Sequence, residues 1–240
     1  RALDEVDFRL YLGEVVGLVG DNGAGKSTLM KVMSGLQPAD QGEFWFAGKR
    51  VDVRHPRDAF SLGIQTVYQD LGLCDNLDTV QNLFLGREKV HPLGTRLNRP
   101  LMEHHAAQVL RELSVTTIRS LRIPAGKLSG GQRQAVAICR SLLWEPKVVL
   151  LDEPTAALGV LQRAQVMALI GRLRAKHRAV VMVTQSLSDV KAIADRVVVL
   201  RLGKKVAEFS GDVNPDDVLG AVTGVYRGDN KSGINSVAAG

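Results

Sequence analysis

A glycine-rich segment that ends in lysine and serine follows the first strongly apolar run of the chain. Residues 15–19 read Val-Val-Gly-Leu-Val, and residues 20–27 read Gly-Asp-Asn-Gly-Ala-Gly-Lys-Ser, which fits the pattern G-x-x-x-x-G-K-[ST]. Glycines let the backbone curl around an anion, and a helix that begins near Lys26 offers free N–H groups and the positive end of its dipole. The segment therefore predicts a buried strand, a phosphate-binding loop and a helix in succession. A dinucleotide fingerprint is excluded, because lysine and serine stand where a third glycine is required.

Each residue of such a loop has an expected task. Lys26 reaches the β- and γ-phosphates of ATP, and the hydroxyl of Ser27 coordinates Mg²⁺. The predicted nucleotide-binding residues of this segment are Gly20, Asp21, Asn22, Gly23, Ala24, Gly25, Lys26, Ser27 and Thr28.

Three further runs, at residues 148–151, 180–183 and 197–200, are apolar without alternation. Strands that are buried on both faces have this pattern, because helices cover both sides of a parallel sheet. Helical periodicity, as in residues 162–176, lies between the runs, so we predict an α/β fold of the P-loop NTPase type with a mostly parallel core sheet. Two antiparallel pairs are also predicted: a β flank over residues 42–53 and a hairpin over residues 197–209.

The middle of the chain departs from this alternation of strands and helices. From about residue 71 to 143 the periodicity is mainly helical, so we predict an α-helical subdomain inserted between two strands of the core. The nucleotide-binding domain as a whole is predicted to span residues 1–226. Residues 227–240 are dominated by Gly, Asn, Ser and Ala, and a flexible tail is expected there.

Composition and charge narrow the class of protein. Apolar residues make up 45% of the chain and charged residues 23%, as in soluble globular proteins. No apolar stretch reaches the roughly 18–20 residues of a transmembrane helix, and we see no signal-peptide pattern. The net charge is +6, but the basic residues are scattered along the chain, so no nucleic-acid partner is expected. The distant Cys74 and Cys139 are predicted to be free thiols in a reducing compartment.

Two carboxylates follow the apolar run at residues 148–151. They are Asp152 and Glu153, and in parallel sheets ligands gather at the carboxyl ends of the strands. Two acids that open a loop prove little alone, but together with a phosphate loop they predict a hydrolytic site. We expect Asp152 to hold Mg²⁺, through water, and Glu153 to orient or deprotonate the attacking water.

Residues 128–132, Leu-Ser-Gly-Gly-Gln, open a helical stretch over residues 133–143. Exposed N–H groups at a helix N-terminus and a serine hydroxyl suit a second anion site. One chain has no need of two triphosphate sites, but two chains packed head to tail would each close the other's nucleotide. L-S-G-G-Q is the signature of ATP-binding cassette (ABC) proteins, and the chain resembles that family over residues 3–223. The signature contacts to nucleotide that this resemblance implies are Ser129, Gly130, Gly131 and Gln132.

The resemblance implies an ATPase whose cofactors are ATP and Mg²⁺ and which drives membrane transport. Gln69 matches the family glutamine that touches Mg²⁺ or water and links the sheet to the helical subdomain. Ser27, Gln69 and Asp152 are thus the expected metal-binding residues. Within the family, the resemblance is strongest to the ATPases of bacterial monosaccharide importers of the ribose, xylose and fructose type. Residues 19–28, 68–71, 82–88 and 152–159 carry it.

The implied partners are a second nucleotide-binding domain, transmembrane permease subunits and, indirectly, an extracytoplasmic sugar-binding protein. The implied location is peripheral, on the cytoplasmic face of the inner or plasma membrane. The sequence leaves open whether the dimer is a homodimer or a heterodimer. It also leaves the sugar open, because specificity would lie in the binding protein and the permease. A cassette ATPase that acts on DNA or ribosomes is an alternative, although the chain lacks the sustained heptads of that class.

Three positions depart from the family pattern. Gln185 stands where a histidine contacts the γ-phosphate and water, so we predict slower hydrolysis with ATP binding kept; a regulatory subunit that needs a competent partner is the alternative. Gly159 replaces a common aspartate, which the sugar-importer branch often tolerates. In the family, the aromatic residue that stacks on adenine lies upstream of the position of Arg1. We therefore expect either that the chain is truncated or that the upstream segment is missing from this sequence. Stacking of this kind is worth about 1–3 kcal/mol in nucleic-acid systems.

Overall fold

The protein was analysed as a computed structural model that describes residues 1–92, 94 and 96–225. Its main sheet has the strand order β4-β5-β6-β1-β7-β8. The first five of these strands run parallel, and β8 pairs antiparallel with β7. The predicted mostly parallel α/β fold is therefore confirmed. The strands are β1 (Val15–Val19), β4 (Ile64–Val67), β5 (Val148–Asp152), β6 (Ala179–Val183), β7 (Arg196–Arg201) and β8 (Lys204–Ser210).

The apolar runs lack alternation because both faces of the sheet are covered. In β1, Val15 and Val19 pack into the hydrophobic cluster on one side of the sheet. The residues between them, Val16 and Leu18, pack into the cluster on the other side. All four side chains are at most 1% exposed.

Helices supply both covering layers. Residues of α1 (Lys26–Met33) and α2 (Pro56–Ser61) belong to one cluster. Residues of α6 (Val160–Ala175), α7 (Leu187–Ile193) and α8 (Pro215–Thr223) belong to the other. The predicted β flank is confirmed as an antiparallel pair, β2 (Phe44–Phe46) and β3 (Lys49–Val51).

The described segment between β4 and β5 contains no strand of the main sheet. It holds α3 (Thr79–Phe84), α4 (Arg99–Glu112), a 3-10 turn (Ala125–Lys127) and α5 (Gly130–Leu142). Helix α5 begins earlier than residue 133, because Ser129 caps it and Gln132 completes a capping box. The guanidinium of Arg140 in α5 donates to the carbonyls of Leu71 (2.7 Å) and Gly72 (2.8 Å), which fastens this helix to the chain just beyond β4.

The domain boundaries at residues 1–226 and about 71–143 stay predictions. The tail predicted over residues 227–240 lies outside the described residues. Within the part of the chain that the structure describes, no helix is long and apolar enough to cross a bilayer.

Candidate nucleotide site

The loop between β1 and α1 contains two glycines whose backbone conformation would strain any other residue. Gly20 has φ +153°, and a Cβ there would lie 2.2 Å from the carbonyl oxygen of Leu200. Gly25 has φ +107°, and a Cβ there would lie 2.8 Å from Cδ2 of Leu3. The clash at Gly20 is with a backbone atom, whereas at Gly25 the terminal methyl of Leu3 could move and the positive φ is the stronger constraint; both positions therefore favour glycine.

Lys26 is the first residue of α1, and its side chain reaches back to the start of the loop. Its Nζ donates hydrogen bonds to the carbonyl oxygens of Gly20 (2.7 Å) and Asp21 (2.9 Å), and the residue is only 7% exposed. Burial lowers the pKa of the ammonium, while the carboxylates of Glu153, Asp21 and Asp152 act in the opposite direction. The ammonium thus has carbonyl oxygens as its hydrogen-bond partners, and its charge can still meet an incoming anion.

The N-terminus of α1 is open toward the same space. Its N-cap is Gly25, which has no side chain that could cap the helix. The first-turn N–H groups therefore remain as donors for a phosphate. Ser27 is exposed and Thr28 half-buried. Of the predicted loop residues, Ala24 differs: its side chain is buried in the core, so only its backbone can face a ligand. The remaining three, Asp21, Asn22 and Gly23, are exposed.

The acidic pair lies at the carboxyl end of β5, next to the phosphate loop. Asp152 ends the strand opposite Val183 of β6, and the backbone N–H of Glu153 donates to the carbonyl of Val183 (2.9 Å). Both carboxylates are half-buried. Burial raises the pKa of each, and the charge of Lys26 works against that increase. The pair therefore sits within electrostatic reach of the lysine that holds the phosphate-loop carbonyls.

Gln185 completes this edge of the sheet. It follows β6, and its Nε2 donates to Oδ1 of Asn22 in the phosphate loop (3.0 Å). A hydrogen bond from the backbone of Gln185 also holds the pKa of Glu153 lower than burial alone would. The structure thus brings together residues from three separate segments, after β1, β5 and β6, because those strands are neighbours.

The third predicted metal ligand, Gln69, is an exposed residue just beyond β4. Strand β4 pairs with β5 in the register Val67 to Leu151, so Gln69 and Asp152 follow neighbouring strands at the same edge. No group of three or more His, Cys, Asp or Glu residues in the described chain could hold a metal by itself. One carboxylate, one hydroxyl and one amide fit Mg²⁺, which commonly takes few protein ligands and completes its shell with phosphates and water.

The signature residues lie apart from this edge. Ser129 and Gly130 are exposed at the start of α5, and Nε2 of Gln132 donates to the carbonyl of Thr117 (2.7 Å). Gly131 is buried, and a Cβ on it would lie 2.9 Å from Cβ of Gln162 in α6. Within the described residues, no hydrogen bond or ion pair joins residues 129–132 to residues 20–28. A single chain therefore presents two separate candidate anion-binding surfaces.

Sequence reasoning missed Asp189 and Arg163, which are linked beside Gln185. Asp189 is only 4% exposed and accepts a hydrogen bond from Nε of Arg163 (2.5 Å). In the sequence, Asp189 stands in the polar stretch Gln-Ser-Leu-Ser-Asp, which is typical of an exposed helix start. Only its burial in the folded chain distinguishes it from a surface cap.

Comparison with known proteins identifies the family. The sequence profile described as ABC transporter matches residues 3–156. The chain belongs to the ABC transporter family. This result confirms the resemblance inferred from the phosphate loop and the signature, and it makes the chain an ATP-binding protein of the ABC ATPase class.

Similar ABC proteins are named as sugar-import ATP-binding proteins. The chain is 41% identical to the fructose import ATP-binding protein of Rhizobium meliloti over 93% of this chain and 88% of that protein. It is 43% identical to the xylose/arabinose import ATP-binding protein of Sulfolobus acidocaldarius, over 85% and 80%. The ribose import ATP-binding protein of Clostridium tetani is 34% identical over 93% of this chain, which spans only 44% of that longer protein.

Solved ABC cassettes have the same architecture. A nucleotide-free ATP-binding cassette from an ABC transporter superposes with a TM-score of 0.81 at 28% identity, covering 95% of this chain and 93% of that one. A dimeric cassette in a post-hydrolysis state, bound to ADP and Pi, superposes with a TM-score of 0.73 at 25% identity, covering 87% and 90%.

Proposed function

We propose that this ABC protein is the ATP-binding and ATP-hydrolysing subunit of a sugar importer. The observation that carries the proposal is the meeting of Lys26, Glu153 and Gln185 at one edge of the sheet, with Gln185 bonded to the phosphate loop. That arrangement contains an anion-binding lysine, a half-buried carboxylate and an amide, which are the groups that hydrolysis of a phosphoanhydride requires.

The roles of the residues follow from their positions. The backbone of residues 20–28 and the ammonium of Lys26 bind the phosphates. Ser27, Asp152 and Gln69 would hold Mg²⁺, which neutralises phosphate charge when bound. Glu153 orients a water and takes its proton while the water oxygen bonds to the γ-phosphorus. The bond from that phosphorus to ADP breaks, and ADP leaves with the electron pair.

Gln185 supports this reaction without carrying charge. Its amide can donate a hydrogen bond to the γ-phosphate, but unlike an imidazole it cannot become a cation. We therefore propose hydrolysis slower than with histidine at this position, with ATP binding retained. The hydrogen bond to Asn22 holds the amide at the phosphate loop, which favours an active subunit. The alternative of a purely regulatory subunit draws no support from the named relatives.

Two chains are proposed to close head to tail around ATP. Ser129 is exposed and makes no hydrogen bond to residues 20–28 of its own chain. Ser129 and the backbone of the buried Gly131 are proposed to face the γ-phosphate held by Lys26 of a second copy or of a related subunit, with the exposed Gly130 beside them. Gly131 and Gln132 complete the signature at the start of the same helix. The similarity to a solved dimeric cassette supports the pairing of two chains.

The transport role rests on the named relatives. Two import ATP-binding proteins, for fructose and for xylose or arabinose, are matched over at least 80% of their length, and sugar import is therefore the proposed process. The chain would work on the cytoplasmic face of the membrane, bound to transmembrane permease subunits that receive sugar from an extracytoplasmic binding protein. Gln69 and the helices between β4 and β5 would pass the motion of the dimer to the permease.

The test is hydrolysis of Mg-ATP by the purified chain, beside nucleotide binding and a Glu153→Gln control. Turnover per chain that rises with protein concentration and disappears in Glu153→Gln would support a dimerising ATPase. Binding without turnover would contradict an autonomous ATPase. Crosslinking of Ser129→Cys in one chain to Asp21→Cys in the phosphate loop of a second chain, in the presence of ATP, checks the head-to-tail arrangement, and absence of an ATP-dependent crosslinked dimer would reject it.

A further inference from the structure

A buried carboxylate connects the loop after Glu153 to the loop that carries Gln185. Asp189 in α7 accepts hydrogen bonds from Oγ1 of Thr155 and from Nε of Arg163, each at 2.5 Å. Its side chain is 5% exposed and that of Arg163 is 36% exposed. Both carboxyl oxygens of Asp189 thereby have hydrogen-bond partners from two other segments of the chain.

The guanidinium of Arg163 extends the same network to the residue beside Gln185. Its Nη2 donates to Oγ of Ser186 and, at 3.3 Å, to Oγ of Ser188. The N–H of Ser186 in turn donates to Oγ1 of Thr184 (3.0 Å), which is fully buried. One end of the network therefore lies two residues after Glu153, and the other end lies next to Gln185.

Backbone hydrogen bonds hold the strand-proximal ends of both loops: the N–H of Glu153 donates to the carbonyl of Val183 (2.9 Å) and the N–H of Thr184 donates to the carbonyl of Leu18 (3.3 Å). Glu153 itself has φ +48°, outside the strand conformation that precedes it. Apolar packing would exclude water from this region, but it is not directional. Hydrogen bonds to an ionised group are short, directional and about twice as strong as neutral ones. A buried ion pair also costs desolvation that an apolar pair does not, so such a pair is weak evidence for stabilisation alone.

We propose that Arg163 and Asp189 are positioning residues that hold Gln185 opposite Glu153, with Thr155 as the anchor in the loop of Glu153. This inference rests on the proposed ATP hydrolysis and deepens it, because it names residues outside the phosphate loop and the signature on which the rate depends. Neither residue touches ATP; both act through Gln185.

The main variant is Arg163→Gln, with Arg174→Gln as a matched control. Arg174 lies in the same helix, α6, and pairs with Asp195 at 2.9 Å, far along the helix from the phosphate loop. A displacement of about 1 Å of a catalytic group can cost about 100-fold in rate. We expect kcat to fall by about 10- to 100-fold in Arg163→Gln, with the KM and Kd for Mg-ATP close to wild type. Arg163→Lys should recover part of the loss, and Arg174→Gln should leave kcat unchanged.

Equal kcat values in Arg163→Gln and Arg174→Gln would overturn the proposal, as would a loss confined to nucleotide affinity. If Arg163→Gln does not fold, Thr155→Val removes a single hydroxyl from the same network. It should lower kcat in the same direction at unchanged KM, and a wild-type kcat in Thr155→Val would overturn the proposal instead.

A double-mutant cycle separates positioning of Gln185 from a general effect on the fold. In a Gln185→Ala background, Arg163→Gln should cause no further loss of kcat, because the group that it positions is gone. Additive losses would show that Arg163 does not act through Gln185.

A spectroscopic readout keeps this inference distinct from the proposed function. A wild-type chain that binds but does not hydrolyse Mg-ATP contradicts the proposed function alone. The side-chain amide NMR signal of Gln185, assigned with Gln185→Ala, should then still shift on addition of Mg-ATP in wild type and in Arg174→Gln. In Arg163→Gln that shift should be absent, and a shift equal to wild type would overturn the inference.

Discussion

A methyl group on Gly131 tests the contact between the signature helix α5 and helix α6. In Gly131→Ala the new Cβ lies 2.9 Å from Cβ and 3.1 Å from Cγ of Gln162. Carbon atoms in contact normally lie about 3.5–4.0 Å apart. The two helices must therefore separate by several tenths of an ångström or the first turn of α6 must shift.

The magnitude follows from two opposing effects. Overpacking of this kind costs about 1–3 kcal/mol. Replacing glycine by alanine within a helix returns up to about 1 kcal/mol, and less in the first turn. The net expectation for Gly131→Ala is a loss of about 1–2 kcal/mol in the free energy of unfolding, or about 2–8 °C in Tm for a chain of this size.

Gly171→Ala in α6 is the matched control. The same methyl group there meets only Cδ1 of Ile193, at 3.5 Å, which is an ordinary contact. Without a clash, helix propensity alone predicts a gain of about 0.5–1 kcal/mol. One chemical change should thus have opposite signs at the two positions.

Urea denaturation of the nucleotide-free chains measures both effects, with equal m-values required for the comparison. A Gly131→Ala chain as stable as wild type would refute the close packing of Gly131 against Gln162. Destabilisation by Gly171→Ala as well would show that the assay reports an unspecific effect of the methyl group.

The remaining predictions concern Glu153 and Gln185. Burial raises the pKa of Glu153 above its ordinary 4.5, so its charge opposes folding at neutral pH, and Glu153→Gln should unfold at higher urea concentration than wild type at pH 7. Well below pH 4.5 the carboxyl is neutral in both the folded and the unfolded chain, so the difference should vanish there; an equal difference at both pH values would contradict this. The same variant should lose about 10²- to 10⁴-fold in kcat for Mg-ATP. Gln185→His should raise kcat about fivefold, since a hydrogen bond from a charged donor is worth about 1 kcal/mol more than one from a neutral donor; no gain would mean that the amide is an equal substitute. In wild type, kcat/KM should fall as the pH is lowered toward the pKa of Glu153, which lies above 4.5. In Gln185→His alone, kcat/KM should also fall as the pH is raised through about 6.5, where the imidazole loses its charge.

Short-range patterns in the sequence were sufficient to predict much of the fold. Residues 15–27 encode a buried strand, a turn that needs glycine and a helix start within one short segment, so each expectation could be drawn from neighbours in the chain. The unbroken apolar runs that became β5, β6 and β7 are explained by the two clusters that cover both faces of the sheet. The hairpin of β7 and β8 likewise joins adjacent segments.

The sequence could also propose residues for chemistry, but not their distances. Asp152 and Glu153 were found because they follow an apolar run, and the carboxyl ends of parallel strands share one edge. Gln185 was found through the family resemblance, as the residue at the position of a histidine. Nothing in the sequence indicates that the amide of Gln185 bonds to Asn22, which is 163 positions away. That contact exists because β6 and β1 are neighbours in the sheet.

By itself, then, the sequence determined the element types, the phosphate loop and the family, because these depend on short-range patterns of apolar, glycine and charged residues. The tertiary structure alone decided the strand order β4-β5-β6-β1-β7-β8, the packing of Gly131 on Gln162 and the burial of Asp189 beside Arg163. The two contacts join residues that are 26 or more positions apart in the chain. The strand order is likewise not dictated by the order of the strands in the sequence. These contacts and this strand order arise from the packing of the helices against the sheet. No periodic pattern in the sequence indicates which segments pack together.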